Sequence, residues 1–178
     1  MFIAEGAEDR ARRVRAILMD ADGILTAGGI LVAPGGEEWK LFDARDGLGL
    51  RIARETGFLL GVISGRRSSA LERRAHELRF DEIHQGVTDK LRVFEAVIAR
   101  WKIPPEEVAY LGDDLVDAPV LRRAGFAATV PDAAEEIRRL VHFVSSHPGG
   151  RGAVREVIEY ILRTQGRWES VLKSYGAV

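Results

Sequence analysis

Two aspartates separated by one residue stand at the end of an apolar run, Val14-Arg15-Ala16-Ile17-Leu18-Met19-Asp20-Ala21-Asp22-Gly23. Carboxylates this close repel each other. A hard cation relieves that repulsion, and Mg²⁺ is commonly held by one or two carboxylates together with phosphate oxygens. A carboxylate can also attack phosphorus to give an acyl phosphate, and a second can act as general acid and then as general base. The pair therefore suits phosphoryl transfer. Asp20 fits the nucleophile, and Asp22 fits the group that protonates the leaving oxygen and later activates water. The plain alternative is a solvated Asp-x-Asp-Gly turn, because Asp and Gly are ordinary turn residues.

Such chemistry also needs donors and positive charge around the phosphoryl oxygens. Three later stretches offer them. Ile63-Ser64-Gly65-Arg66 follows the apolar run Phe58–Val62, so the Ser64 hydroxyl and the adjacent backbone N–H groups, Gly65 included, can bind phosphoryl oxygens. Lys90, in Thr88-Asp89-Lys90-Leu91, can neutralise charge on both phosphate and Asp20. Gly112-Asp113-Asp114-Leu115-Val116-Asp117 follows the apolar Val108–Leu111 and adds three acids. Each stretch has a structural alternative: Ser64 as a strand-end turn residue, Lys90 as a solvated first-turn lysine, Asp113 or Asp114 as a helix cap. The four histidines show no metal-ligand spacing.

The elements that must position these residues follow from hydrophobic pattern. Short apolar runs bounded by turn signals predict strands ending near Asp20 and over 58–63, 82–85, 108–111, 126–130 and 141–145. Between them the helical period predicts helices over 46–55, 68–78, 115–124 and 132–140, with one more beginning near Thr88. A last amphipathic helix carries Val154, Val157, Ile158, Ile161 and Leu162. Strands alternating with helices predict an α/β fold: a parallel sheet with helices on both faces. Such sheets bind ligands at the carboxyl ends of their strands. Residues i and i+2 of a strand point the same way, so Asp20 and Asp22 aim at one point unless the turn at Gly23 re-aims the second. Residues 24 to 42 break the rhythm and predict a β-hairpin rich in apolar residues, among them Ile30, Val32 and Trp39. A lone hairpin is marginal in water, which points to a surface that meets another subunit. Met1–Arg13 is expected to be a short helix or arm, and residues 166–178 a tail.

Composition sets the outer bounds. With 178 residues and no linker or repeat, one domain spanning 1–178 is the economical reading. A formal net charge of -1 leaves no basic footprint for nucleic acid. The chain has no cysteine, which excludes disulfides and thiolate metal sites. It has neither an apolar signal core near Met1 nor a run long enough to span a membrane. The expectation is a cytoplasmic protein acting on a small molecule.

In order and position, the four motifs resemble those of the haloacid dehalogenase (HAD) phosphatases: DxDG, a hydroxyl residue after an apolar strand, a lysine, and GDxxxD. The resemblance implies a Rossmann-like HAD fold and Mg²⁺ as cofactor. It implies metal ligation by the Asp20 and Asp113 side chains and the Asp22 backbone carbonyl, with Asp114 and Asp117 outside the ligand set. The intervals from Asp20 to Ser64 and from Ser64 to Lys90 are shorter than the about 50 residues of a small domain, so neither holds a cap. In capless HAD phosphatases a neighbouring subunit covers the site.

Over residues 14 to about 166 the sequence is most similar to the 3-deoxy-D-manno-octulosonate 8-phosphate (KDO-8-phosphate) phosphatase family of lipopolysaccharide biosynthesis. The similarity rests on Asp20–Thr26, Lys40-Leu41-Phe42, Arg45-Asp46-Gly47-Leu48-Gly49, Ser64-Gly65-Arg66, Gln85-Gly86, Asp89-Lys90, Tyr110–Asp114 with Asp117, and Gly149–Glu156. It implies a homotetramer in which the hairpin and C-terminal tail of one subunit help close the next site. Sister enzymes acting on nine-carbon acid-sugar phosphates carry an acidic residue after the second-motif glycine. Arg66 stands there in this chain and, with Arg151 and Arg45, favours the octulosonate branch, since an arginine fork suits a sugar carboxylate. Ala21, where a β-branched residue is usual, and a longer tail depart from the family pattern. The rival readings are a nine-carbon sugar phosphatase, a non-catalytic HAD oligomerisation module, and a receiver domain. The receiver is disfavoured because its acceptor aspartate follows a mid-chain strand.

Overall fold

In a computed structural model describing residues 1–178, the apolar run before Asp20 is a strand buried on both faces, Ala16–Met19. The chain runs β1 (Phe2–Ile3), α1 (Ala7–Arg13), β2 (Ala16–Met19), β3 (Leu31–Val32), β4 (Glu38–Trp39), α2 (Ala44–Glu55), β5 (Leu59–Ser64), α3 (Ser69–Glu77) and β6 (Glu82–Gln85). It continues through α4 (Lys90–Trp101), β7 (Val108–Leu111), α5 (Ala118–Arg123), β8 (Phe126–Thr129), α6 (Glu135–Arg138), β9 (Phe143–Val144), α7 (Ala153–Thr164) and α8 (Trp168–Ser174).

Seven strands form one sheet in the order β1-β9-β8-β7-β2-β5-β6, and β3 and β4 form a separate hairpin. From β2 the chain builds β5 and β6 on one side, then crosses to build β7, β8 and β9 on the other. That reversal makes a crevice at the carboxyl end of β2. Register brings the motifs level there. Met19 pairs with Val62 of β5 and with Leu111 of β7, so the residues that follow each strand emerge along one edge. β2, β7 and β8 are buried throughout, as expected of parallel strands covered on both faces. The buried apolar residues, from Ala7 to Val171, form a single cluster.

Several expectations need correction. The sheet is parallel except for β1, which pairs antiparallel with β9. A two-residue strand carries no periodicity by which to find it. The predicted 24–42 hairpin exists, but only Leu31–Val32 and Glu38–Trp39 pair. The helix expected over 132–140 shrinks to Glu135–Arg138, because Ala134 stays extended and its N–H donates to the Asp113 carbonyl at 3.0 Å. Residues 166–178, expected only as a tail, contain the helix α8, which packs against α7 of the same chain, with buried Trp168 under the guanidinium groups of Arg155 and Arg163. No helix is long and apolar enough to cross a membrane.

Candidate active site

Asp20 leaves the end of β2 still tied to the sheet, its N–H donating to the Leu111 carbonyl at 2.9 Å. Its carboxylate is nearly buried and faces Lys90, whose Nζ lies 2.8 Å from Asp20 Oδ1 and 2.8 Å from Asp117 Oδ1. Lys90 is the first residue of α4. Asp89 caps that helix by accepting the Arg92 N–H at 3.0 Å, which turns Lys90 inward. It is therefore not a solvated first-turn lysine. Burial pulls its ammonium toward deprotonation, but the charges of Asp20 and Asp117 outweigh this and hold its pKa above the ordinary lysine value.

Asp117 is wholly buried and fully engaged. Oδ1 accepts from Lys90 and from the Tyr110 hydroxyl at 2.7 Å, and Oδ2 accepts the N–H groups of Asp113 at 3.2 Å and Asp114 at 3.4 Å. Its task is to fix the Gly112–Asp114 loop and Lys90. Gly112 is required beside it, since a Cβ there would lie 2.5 Å from the Asp117 side chain. Asp114 caps the turn Leu115–Asp117, accepting the Leu115 N–H at 2.7 Å. The capping alternative thus describes Asp114 and not Asp113.

One carboxylate oxygen each from Asp20, Asp113 and Asp117 lie within 4.8 Å of one another. Asp113 Oδ1 is buried with no hydrogen-bond partner. Burial, reinforced by Asp117, raises Asp20 to about 6 against the pull of Lys90, and burial with the charges of Asp20 and Asp117 raises Asp113 to about 7. An orphaned buried oxygen among carboxylates that resist ionisation fits a divalent cation. With both Asp117 oxygens taken, Asp20 and Asp113 are the side chains free to bind one.

The Asp22 carboxylate is outside this group. Both aspartates line the same cavity, but the Asp22 carboxylate is bound by its own set of partners. Asp22 Oδ1 pairs with Lys40 Nζ and accepts from the Thr26 hydroxyl at 3.3 Å, while Arg66 Nε lies 4.0 Å from Oδ2. Lys40 was not among the predicted site residues. Its side chain is 2% exposed, and its Nζ also lies 2.9 Å from Glu38 Oε1. Burial lowers its pKa, but hydrogen bonds to Asp22 and Glu38 outweigh that and raise it. Glu38 in turn holds Arg66, with Arg66 Nη2 donating to Oε2 at 2.6 Å. A signal for Lys40 was present: only four of the 26 basic residues are lysines, and Lys90 is another.

Ser64 ends β5 in a buried position, its Oγ accepting the Arg66 N–H at 3.2 Å. All the predicted residues line one cavity of about 280 Å³ except Asp117, Arg45 and Arg151. A larger groove of about 530 Å³, between α2 and α3, contains none of the motif residues. Asp117 lies behind the site cavity. Arg45 is exposed and occupied: it pairs with Asp43 at 3.0 Å and donates to the Arg151 carbonyl at 2.6 Å. Beside it, buried Asp46 accepts the N–H groups of Gly152 at 3.0 Å and Arg155 at 2.9 Å at the start of α7. The Gly149–Gly152 loop is thereby anchored, and its Gly150 N–H reaches the Ile24 carbonyl at 2.9 Å.

A family model described as haloacid dehalogenase-like hydrolase matches residues 32–125. The chain is 39% identical over 167 residues to the 3-deoxy-D-manno-octulosonate 8-phosphate phosphatase KdsC of Yersinia pestis, covering 94% of this chain and 89% of that protein. This chain belongs to the KdsC family of haloacid dehalogenase-like hydrolases. The KdsC of Escherichia coli K12 is 38% identical over 89% of this chain and 84% of its own length. A crystal structure of the Moraxella catarrhalis 3-deoxy-D-manno-octulosonate 8-phosphate phosphatase superposes with a TM-score of 0.93 at 37% identity, covering 95% of this chain and 97% of that one. The M. catarrhalis protein was crystallised with magnesium, phosphate and KDO. Family membership agrees with the sheet order, the absence of a cap between the motifs and the placement of those motifs at strand ends.

Proposed function

We propose that this protein is a Mg²⁺-dependent phosphatase that hydrolyses KDO 8-phosphate to KDO and phosphate. The observation that carries the chemistry is the Asp20–Lys90–Asp117 bridge beside the orphaned oxygen of Asp113. The substrate assignment is supported by the KdsC relatives, which match nearly end to end.

Mg²⁺ would be held by the side chains of Asp20 and Asp113 and the backbone carbonyl of Asp22. When bound, it supplies positive charge that offsets repulsion between Asp20 and the incoming phosphate. Asp20 attacks phosphorus through a carboxylate oxygen, and the bond from phosphorus to the sugar oxygen breaks. Asp22 gives its proton to that oxygen, releasing the sugar. It then takes a proton from the water that attacks the aspartyl-phosphate, freeing phosphate and restoring Asp20. Lys90 and Ser64 donate to the phosphoryl oxygens, joined by the N–H groups near Gly65. Asp117 and Asp114 hold the loop that carries Asp113. Arg66, which lines the cavity beside Asp22, is read as the arginine that meets the sugar carboxylate while Glu38 steadies it.

The chain is read as one domain that assembles into a homotetramer, in which hairpins cover neighbouring sites in place of a cap. Exposed Ile30, Leu31, Val32, Trp39 and Leu41 support this, as isolated hairpins seldom leave such a cluster in water. A cytoplasmic location is part of the same reading. The deciding experiment is Mg²⁺-dependent phosphate release from KDO 8-phosphate against a nine-carbon 2-keto acid 9-phosphate. Preference for the first is expected. Preference for the second overturns the substrate and keeps the chemistry, and release from neither overturns both.

A further inference from the structure

The hairpin's Lys40 is buried without touching Asp20, Asp113, Ser64 or the rest of the phosphate-facing set. Both of its partners are carboxylates, Asp22 on one side and Glu38 on the other. A lysine ammonium has three donors and no acceptor. An Asp22 oxygen bonded to it cannot share that position with a proton on the same line. Asp22 Oδ1 also receives the Thr26 hydroxyl, which is itself steadied by the Gly28 N–H at 3.3 Å. Asp22 Oδ2, by contrast, is buried and has no hydrogen-bond partner. The two oxygens of one carboxylate are therefore made unequal by their surroundings: Oδ1 is held by Lys40 and Thr26, while Oδ2 has no hydrogen bond and only the Arg66 Nε, at 4.0 Å, beside it.

We infer that Lys40 is a positioning residue for proton transfer: it clamps Oδ1 of Asp22 and so presents Oδ2 to the leaving oxygen of the substrate. The role rests on the proposed reading of Asp22 as the general acid. Glu38 extends the clamp. It holds Lys40 with one oxygen and Arg66 with the other, so the hairpin ties the proton donor to the arginine assigned to the sugar carboxylate. A side chain outside the four motifs thereby sets the geometry of one that lies within them. No bond to substrate is required of Lys40, and no atom is transferred to or from it.

The test uses the fact that a good leaving group departs without a proton, whereas a sugar alkoxide does not. The Mg²⁺-loaded protein is followed in single turnovers at saturating substrate, so that a binding loss through Arg66 does not enter. The substrates are KDO 8-phosphate and p-nitrophenyl phosphate. Asp22→Asn reports on the acid itself, and Lys40→Met removes the clamp while keeping an apolar stem. Lys40→Gln leaves a donor in the slot, so hairpin docking can be kept even where methionine prevents it.

The expected result is that Asp22→Asn slows sugar release about 10² to 10³-fold more than nitrophenolate release. Lys40→Met should show the same selectivity at about 10 to 100-fold, and Lys40→Gln a smaller effect in the same direction. Selectivity in Asp22→Asn but in neither Lys40 variant overturns the role of Lys40 and leaves the acid in place. An equal loss on both substrates in both Lys40 variants overturns it too. If Asp22→Asn itself shows no selectivity, the acid assignment fails first.

Discussion

A Cβ placed on Gly23 would lie 2.0 Å from Oδ2 of Asp113. The glycine of the first motif makes room for the acid of the last, and its φ of +91° disfavours any other residue. Gly23→Ala should therefore act on the metal site before it acts on the fold. The expected outcome is a loss of Mg²⁺ affinity of at least about tenfold, with the far-ultraviolet circular dichroism unchanged. Calorimetric titration with Mg²⁺ checks this, and wild-type affinity would show that the loop relaxes freely.

Asp20→Asn removes the attacking charge and keeps the shape. Turnover should fall by at least about 10³-fold, in line with the loss of a covalent nucleophile elsewhere. Because the buried Lys90 keeps Asp117 as a partner, the fold should survive. Phosphate release together with thermal melting separates the two effects.

Mg²⁺ stabilisation should depend on pH with a definite sign. Without metal, burial holds the Asp20 carboxyl at about 6 and that of Asp113 at about 7, both above the 3.8 of an ordinary aspartate. Raised carboxyl values favour the folded state fully below about pH 4, and this contribution is lost as pH rises through 6 and 7. Metal binding needs both groups ionised, so protons compete with it. The melting-temperature gain on adding millimolar Mg²⁺ should be small at about pH 5 and full at about pH 8. An equal gain at both would place the cation elsewhere.

Trp39→Asp puts a charge on the exposed apolar hairpin, where Trp39 is 62% exposed in the single chain. If hairpins meet in a tetramer, the desolvated charge should shift the mass toward smaller species by light scattering. An unchanged mass would remove the hairpin from the interface. Lys40 lies close by in the chain, so activity of the same variant shows whether assembly and catalysis are linked.

Asp20, Ser64, Lys90 and Asp113 were legible in the sequence because each sits within a few residues of a strand end or helix start. Local pattern finds those ends, and parallel register then brings them together. Lys40 and Asp22 meet across a loop, and Asp46 of α2 meets Gly152 at the start of α7, 106 residues further along the chain. Such pairs leave no local trace. Arg45 stands apart from these, outside the site cavity. The resemblance made it a substrate residue, but the geometry engages it with Asp43 and the Arg151 carbonyl. β1 and α6 were missed or overdrawn because two to four residues carry too little periodicity. α8 was missed because its apolar residues are too few to define a face.

The tie between the Gly149–Gly152 loop and the Ile24 carbonyl has a consequence for how the protein is made. All four motifs lie between Asp20 and Asp117, so a growing chain holds every reactive group well before α7 has been synthesised. The loop after Gly23 is nevertheless braced by Gly150, and that brace depends on Asp46 closing onto Gly152 and Arg155. A nascent chain halted before α7 would carry the full set of catalytic side chains with the first-motif loop unbraced. Competence therefore arrives late in translation, with the stretch from Gly149 onward.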